Sequence, residues 1–101
     1  QAGISTETSL AGHVFVNRGA LIGHHTTIGR FVSIMPGANI AGLVTIGDNS
    51  YIGMGAVIKD RVSIGRGCVV AAGAVVVNDL PDSVQVMGVP ARVTGTDITM
   101  R

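Results

Sequence analysis

Two adjacent histidines are the residues of this sequence best suited to carry chemistry. His24 and His25 stand side by side, and His13 is the third histidine of the chain. Imidazole ionises near neutral pH, so such a side chain can take a proton from a reacting amine or hydroxyl as a general base. The single cysteine, Cys68, has no disulfide partner within the chain, and we expect it to serve packing rather than nucleophilic chemistry. Which reaction the histidines could catalyse depends on the fold that positions them.

The composition excludes several classes of protein. The chain has 101 residues, enough for one small domain, and 47% of them are hydrophobic while 13% are charged. It is too apolar for a disordered segment, and its apolar runs are too short for a membrane helix. The net charge of +1 gives no electrostatic attraction to nucleic acid or to an anionic membrane. Only 3% of the residues are aromatic, which indicates a thin core without large rings.

Aliphatic residues recur at every sixth position of the chain. Thirteen consecutive members of this series are Ile, Leu or Val, without an insertion: Ile4, Leu10, Val16, Ile22, Ile28, Ile34, Ile40, Ile46, Ile52, Ile58, Ile64, Val70 and Val76. A period of six fits neither an α-helix nor an alternating strand. It fits a short strand followed by a corner, and three such units make one triangular coil of eighteen residues. We therefore predict an all-β fold, a single-stranded left-handed parallel β-helix of hexapeptide repeats with about four coils.

We predict this β-helix for residues 1–80 and an extended C-terminal tail, residues 81–101, that caps its open end. The six-residue period stops after Val76, and Pro81 and Pro90 should end strand pairing. Because Gln1 already lies inside the repeat pattern, we expect the chain to be a segment of a longer protein. No signal peptide is evident, and we expect a cytoplasmic location.

Two of the three outer faces of the predicted prism are apolar. The face built on Leu10 carries small and polar residues, and we call it the polar face. The Ile22 face and the Val16 face, named after one of their inward residues, carry aliphatic and aromatic side chains such as Phe15. Exposed apolar faces of this extent mark an interface. Two unlike apolar faces that share an edge suit a closed homotrimer around that edge.

The same geometry predicts a cleft between subunits. In such a trimer, the corner of His24 and His25 would face the His13 corner of a neighbouring chain, with the neighbour's Asn17 close by. Three imidazoles and an amide would then converge on one site.

Several segments of the chain resemble one family of hexapeptide acyltransferases. They are Asn17, residues 21–29, 36–42 and 51–58, and the Gly-Val-Pro-Ala-Arg ending at residues 88–92. Over roughly residues 12–93, the chain resembles the sialic acid O-acetyltransferase (NeuD-like) and nucleotide-sugar N-acetyltransferase (PglD-like) family. The resemblance implies transfer of an acetyl group from acetyl-CoA, the acyl donor, to an amine or hydroxyl of a sugar or nucleotide sugar. We expect no metal, and from the low net charge we expect no nucleic-acid or membrane partner.

The resemblance also implies roles for the two adjacent histidines. His24 matches the family's general base, which deprotonates the acceptor as it attacks the thioester. The family usually has Asp or Glu at the next position to orient the base, whereas this chain has His25. A neutral His25 could accept a hydrogen bond from the ring of His24, without the charge of a carboxylate; the alternative is an exposed turn residue.

Four further residues are candidates for substrate or coenzyme binding. Asn17 matches an active-site position of the family and is either a substrate contact or a plain turn amide. Only the geometric argument supports His13 as a second substrate contact. Gly42 matches a position whose backbone meets the coenzyme, where a corner without a side chain allows close approach. Arg92 could meet the coenzyme phosphates, or lie solvated on the surface.

Two other functions fit this fold less well. A γ-type carbonic anhydrase needs three histidines around zinc at a subunit interface. This chain has three histidines, but the adjacent pair lacks the spacing of two histidines with four residues between them that is typical of that family. The other candidate is a non-catalytic β-solenoid scaffold or ice-binding protein. The polar face has few threonines for ice binding, and two apolar faces argue against a monomer.

Overall fold

A computed structural model describes residues 3–4 and 9–98 of the chain; the remainder of the predicted ranges 1–80 and 81–101 lies outside the described residues. Fifteen strands follow one another: β1 (Gly3–Ile4), β2 (Ser9–Leu10), β3 (Phe15–Val16), β4 (Leu21–Ile22), β5 (Thr27–Ile28), β6 (Ser33–Ile34), β7 (Asn39–Ile40), β8 (Thr45–Ile46), β9 (Tyr51–Ile52), β10 (Val57–Ile58), β11 (Ser63–Ile64), β12 (Val69–Val70), β13 (Val75–Val76), β14 (Gln85–Met87) and β15 (Arg92–Gly95). No helix able to cross a membrane occurs in the described part of the chain.

The strands stack into three sheets, one for each face of a triangular solenoid. The order is β1-β4-β7-β10-β13 on the Ile22 face, β2-β5-β8-β11 on the polar face, and β3-β6-β9-β12-β14-β15 on the Val16 face. Neighbouring strands up to β13 pair in parallel and in register at a separation of eighteen residues, as Ile22 does with Ile40. These pairings confirm the predicted hexapeptide-repeat solenoid and its three faces.

The core is a column of aliphatic side chains. The second residue of every strand from β4 to β13 points inward and is at most 2% exposed. The small residue four positions later fills the corner, as Ala38 and Val44 do. Burying one such aliphatic side chain stabilises the fold by about 1.5–3 kcal/mol. The rings stay outside, because Phe15 is 66% and Phe31 is 53% exposed, which confirms the thin core.

Each corner turns through one residue with a left-handed backbone. Its φ lies between 55° and 74° at every sixth position from His13 to Gly73. On the edge where the Val16 and Ile22 faces meet, which we call the glycine edge, all four of these residues are glycines: Gly19, Gly37, Gly55 and Gly73. On the other two edges this position carries a side chain everywhere except at Gly67, as it does at His25 and Leu43. Since the left-handed conformation costs a non-glycine residue about 1–2 kcal/mol, the surrounding coil must impose it.

Three inward residues connect successive coils through polar groups. Thr26 Oγ1 donates to the carbonyl oxygen of Ala41 at 3.1 Å, Ser50 Oγ donates to that of Gly65 at 2.9 Å, and the Cys68 thiol donates to that of Pro81 at 3.0 Å. Cys68 is therefore a hydrogen-bond donor as well as a packing residue. Burial raises the pKa of the Cys68 thiol, which keeps it protonated and a poor nucleophile.

Strand pairing continues past both Pro81 and Pro90, so the expectation that these prolines end it was wrong. Leu80 bridges Ile64, and Val86 pairs in parallel with Val70, in both cases at a separation of sixteen residues instead of eighteen. The last coil is thus two residues shorter than the others. Pro81 follows Leu80, which makes the last bridge of the polar face among the described residues. Because no further strand pairs there, the missing N–H of proline costs no strand-to-strand hydrogen bond. Strand β15 then pairs with β14 in antiparallel fashion.

Alanine substitutions at two glycines, Gly47 and Gly12, test how closely neighbouring coils pack. A Cβ on Gly47 would lie 2.7 Å from the backbone nitrogen of Arg66, whereas a Cβ on Gly12 would meet nothing within 4 Å. We expect Gly47→Ala to lower the free energy of unfolding by about 1–3 kcal/mol through overpacking. The matched Gly12→Ala should leave it unchanged or raise it by less than about 1 kcal/mol. Urea unfolding at one protein concentration measures both, and equal midpoints for the two variants would contradict this stacking.

Candidate active site

The two adjacent histidines form one corner of the solenoid, which we call the histidine corner. It connects β4 to β5, where the Ile22 face meets the polar face. The Nδ1 atoms of His24 and His25 lie 2.9 Å apart, a hydrogen-bond distance. The two rings are nearly perpendicular, with centroids 5.1 Å apart. Both side chains are exposed, so the pair is open to a substrate.

Gly42 lies one coil further along the same edge and makes room for the ring of His24. A Cβ on Gly42 would lie 3.1 Å from Cε1 and Nε2 of His24, and 3.1 Å from its carbonyl oxygen. That carbonyl accepts a hydrogen bond from the backbone N–H of Leu43 at 2.9 Å. The backbone of the next coil therefore supports both the main chain and the ring of His24.

Thr26 anchors the same corner from inside. Its side chain is fully buried, and its hydroxyl donates to the carbonyl oxygen of Ala41, the residue before Gly42. This bond joins the coil of His24 to the coil of Gly42. The sequence analysis did not single out Thr26, although a polar residue in an inward series made mostly of Ala and Val was a visible signal for it.

The other candidate residues lie elsewhere in the single chain. Asn17 follows β3 and is half-buried, and its Nδ2 donates to the carbonyl oxygen of Ile34 at 3.0 Å. His13 lies on a different corner, where its ring stacks on Phe31 with centroids 5.1 Å apart. Arg92 begins β15 and is exposed. The structure thus brings together His24, His25 and Gly42, and it leaves Asn17, His13 and Arg92 on other elements.

A shallow, mostly apolar groove adjoins the histidine corner on the Ile22 face. Its volume is about 380 Å³. The residues that line it are Gly3, Ile4, Leu21, Ile22, Gly23, Asn39, Ile40 and Ala41. Two of them directly precede His24 and Gly42 in the chain, so the groove opens beside the imidazole pair.

Charged side chains occur further along the same edge. Asp60 lies one coil beyond Gly42, with Oδ2 2.9 Å from Arg61 Nη1 and Oδ1 3.7 Å from Lys59 Nζ. All three side chains are substantially exposed, so these ion pairs add little stability. Within residues 3–4 and 9–98, no group of three or more His, Cys, Asp or Glu could hold a metal ion.

The repeat itself matches a known family. Residues 43–78 match the model of the bacterial transferase hexapeptide family, described as six repeats. No curated protein sequence matches the chain. The fold, with its parallel sheets and six-residue period, is that of a hexapeptide-repeat left-handed β-helix.

Several solved structures similar to this chain are acetyltransferases. A histidine-to-asparagine variant of perosamine N-acetyltransferase from Caulobacter crescentus, in complex with CoA and GDP-perosamine, is 34% identical with a TM-score of 0.75; the match covers 93% of this chain and 53% of that one. The acetyltransferase domain of PglB from Neisseria gonorrhoeae, in complex with acetyl coenzyme A, is 30% identical with a TM-score of 0.79, covering 91% and 54%.

Serine acetyltransferase from Neisseria gonorrhoeae, in complex with serine, is 30% identical with a TM-score of 0.84, covering 91% of this chain and 41% of that one. The chain thus spans about half the length, or less, of the structures it matches. The hexapeptide match and the similarity to perosamine N-acetyltransferase and the PglB domain confirm the resemblance to hexapeptide-repeat sugar acetyltransferases predicted from the sequence.

The anchor at Thr26 gives a stability prediction. Thr26→Val keeps the shape of the side chain but removes the donor to the Ala41 carbonyl, so we expect it to lower the free energy of unfolding by about 1–3 kcal/mol. The neighbouring Thr27 is exposed on the polar face, and Thr27→Val should change the same quantity by less than about 0.5 kcal/mol. Thermal or urea unfolding distinguishes them. If Thr26→Val is as stable as Thr27→Val, the hydroxyl does not anchor this corner.

Proposed function

We propose that this chain is the catalytic part of an acetyl-CoA-dependent acetyltransferase whose acceptor is an amine or hydroxyl of a sugar or nucleotide sugar. The observation that carries the proposal is the imidazole of His24, which is supported by Gly42 and held at hydrogen-bond distance by His25. Similarity to an enzyme crystallised with CoA and GDP-perosamine adds support for the donor and for the acceptor class.

In this proposal, His24 acts as the general base through Nε2, the ring nitrogen that does not face His25. Nε2 takes the proton from the acceptor amine or hydroxyl while the acceptor atom attacks the carbonyl carbon of the thioester. The C–S bond then breaks, and the proton passes from His24 to the departing CoA sulfur. The products are the acetylated sugar and free CoA, and His24 returns to its starting state.

We further propose that the complete site forms between the subunits of a homotrimer. Large apolar side chains remain exposed on both apolar faces of the single chain, with Phe15 at 66% and Leu21 at 50%. Covering them between subunits would remove this apolar surface from water. The acceptor would then lie between His24 of one subunit and the exposed His13 and half-buried Asn17 of the next.

The coenzyme would lie along the groove beside the histidine corner. Gly42 already makes room for the ring of His24, so its contact with the pantetheine arm would run through its backbone. Arg92 is exposed, and its guanidinium is suited to a phosphate of CoA. The exposed Lys59 and Arg61, further along the edge that contains the histidine corner, offer additional positive charge.

An acetyl-transfer assay tests this function. The protein is incubated with acetyl-CoA and one of three acceptors, GDP-perosamine, sialic acid or L-serine, and the release of free CoA thiol is measured. We expect turnover with a sugar acceptor. His24→Ala should lose about 10²–10⁴-fold in kcat, the usual contribution of a general base.

Thr45→Ala, on the exposed part of the polar face, is the control and should keep the wild-type rate. A wild-type rate for His24→Ala would contradict the proposed base. Turnover with L-serine alone would replace the sugar acceptor by an amino acid. The absence of both CoA binding and turnover would instead favour a non-catalytic scaffold.

A further inference from the structure

The contact between His24 and His25 can hold only one proton. Two Nδ1 atoms 2.9 Å apart form a hydrogen bond when one of them carries a hydrogen and the other presents a lone pair. If His24 is the donor, its proton is on Nδ1 and its Nε2 is a free base. If His25 is the donor, neutral His24 carries its proton on Nε2 and cannot accept another. The direction of this one hydrogen bond decides whether His24 can act as a base.

We propose that His25 is a positioning residue that accepts the hydrogen bond from His24 and thereby fixes its Nδ1–H tautomer. This inference rests on the proposed function, because it explains how His24 becomes a base. The imidazole of His25 would orient the His24 ring as a carboxylate does, but without a negative charge. When Nε2 takes a proton from the acceptor, His24 becomes a cation whose Nδ1–H still donates to His25, and such a charge-assisted hydrogen bond is stronger than the neutral one. The hydrogen bond from His24 to His25 is therefore strongest after His24 has taken the proton from the acceptor.

The solenoid itself holds His25 in place for this role. His25 is the left-handed residue of its corner, with φ at 55°. Several other non-glycine residues occupy the equivalent place in their corners, among them Leu43 at 61° and Asn49 at 63°. The backbone conformation is thus set by the coil and tolerates several side chains, so the side chain at position 25 can be exchanged with little change in the fold.

These two corners supply a matched pair of variants. In His25→Asn, the side-chain Oδ1 is bonded to Cγ as Nδ1 is in histidine, so it places an acceptor at nearly the same point. In His25→Leu, the acceptor is lost, although leucine is tolerated at the same place on the next coil. Asn49→Leu makes the corresponding change on another edge and controls for the effect of leucine on the fold.

The first measurement is the tautomer of His24, read from ¹H–¹⁵N correlations of the ring nitrogens at about pH 8.5, above the ordinary ionisation range of imidazole. The signals are assigned with His24→Gln. We expect a protonated Nδ1 and an unprotonated Nε2 in the wild type and in His25→Asn, and a shift of the proton to Nε2 in His25→Leu. Observing the proton on Nε2 of His24 in the wild type would overturn the proposal.

The second measurement is the rate of acetyl transfer from acetyl-CoA to the acceptor that the wild type uses. His25→Leu should lose about 10- to 100-fold in kcat, with the KM for acetyl-CoA changed by less than about twofold. His25→Asn should stay within about fivefold of the wild type, and Asn49→Leu should match it. Equal kcat values for His25→Leu and His25→Asn would overturn the proposal while leaving the proposed function intact. If no acceptor is acetylated, the proposed function fails, and the nitrogen spectra still decide the tautomer.

Discussion

The stacking of one coil on the next is the constraint on which the rest of this structure depends. Each eighteen-residue turn closes through three corners, so residues eighteen apart lie against each other along an edge. Glycines are required where a Cβ would strike the next coil, as at Gly47. The same stacking supports the ring of His24 on Gly42. The geometry of the candidate site is therefore a consequence of how the whole solenoid packs.

The corners separate backbone conformation from side-chain chemistry. Their left-handed residues repeat at every sixth position whether the residue is glycine, leucine, asparagine or histidine. Since the coil dictates the conformation, an exposed corner residue is free to vary in chemistry. At the histidine corner this position is His25, which lies beside His24. On the glycine edge the same position is glycine on every coil. A uniform fold can carry a specific site for this reason.

The six-residue period predicted the strands, the three faces and the inward residues up to Val76, because it follows directly from the two inward positions of each short strand. The period was lost afterwards because the last coil is two residues shorter, which shifts the register; Leu80, Val84 and Val86 still follow the inward pattern in the new register. The family resemblance singled out His24, His25 and Gly42, and the structure places these three residues side by side. A hydrogen bond between the two imidazoles was one of the alternatives predicted, but the atoms that make it, like the Thr26 anchor, depend on rotamers that spacing does not specify.

The most direct test of the central claim, that coil stacking holds His24 in position as the base, is the kcat of Gly42→Ala. The added methyl group would crowd the His24 ring at 3.1 Å, and a misplacement of about 1 Å can cost a factor of about 10² in rate. We predict at least a tenfold loss in kcat at saturating acetyl-CoA, with a smaller fall in the urea midpoint than for Gly47→Ala, whose Cβ would lie closer to backbone atoms. Gly95→Ala, where a Cβ would make ordinary contacts at 3.5 Å, should retain the wild-type kcat. A wild-type kcat for Gly42→Ala would contradict the claim that this stacking positions the base.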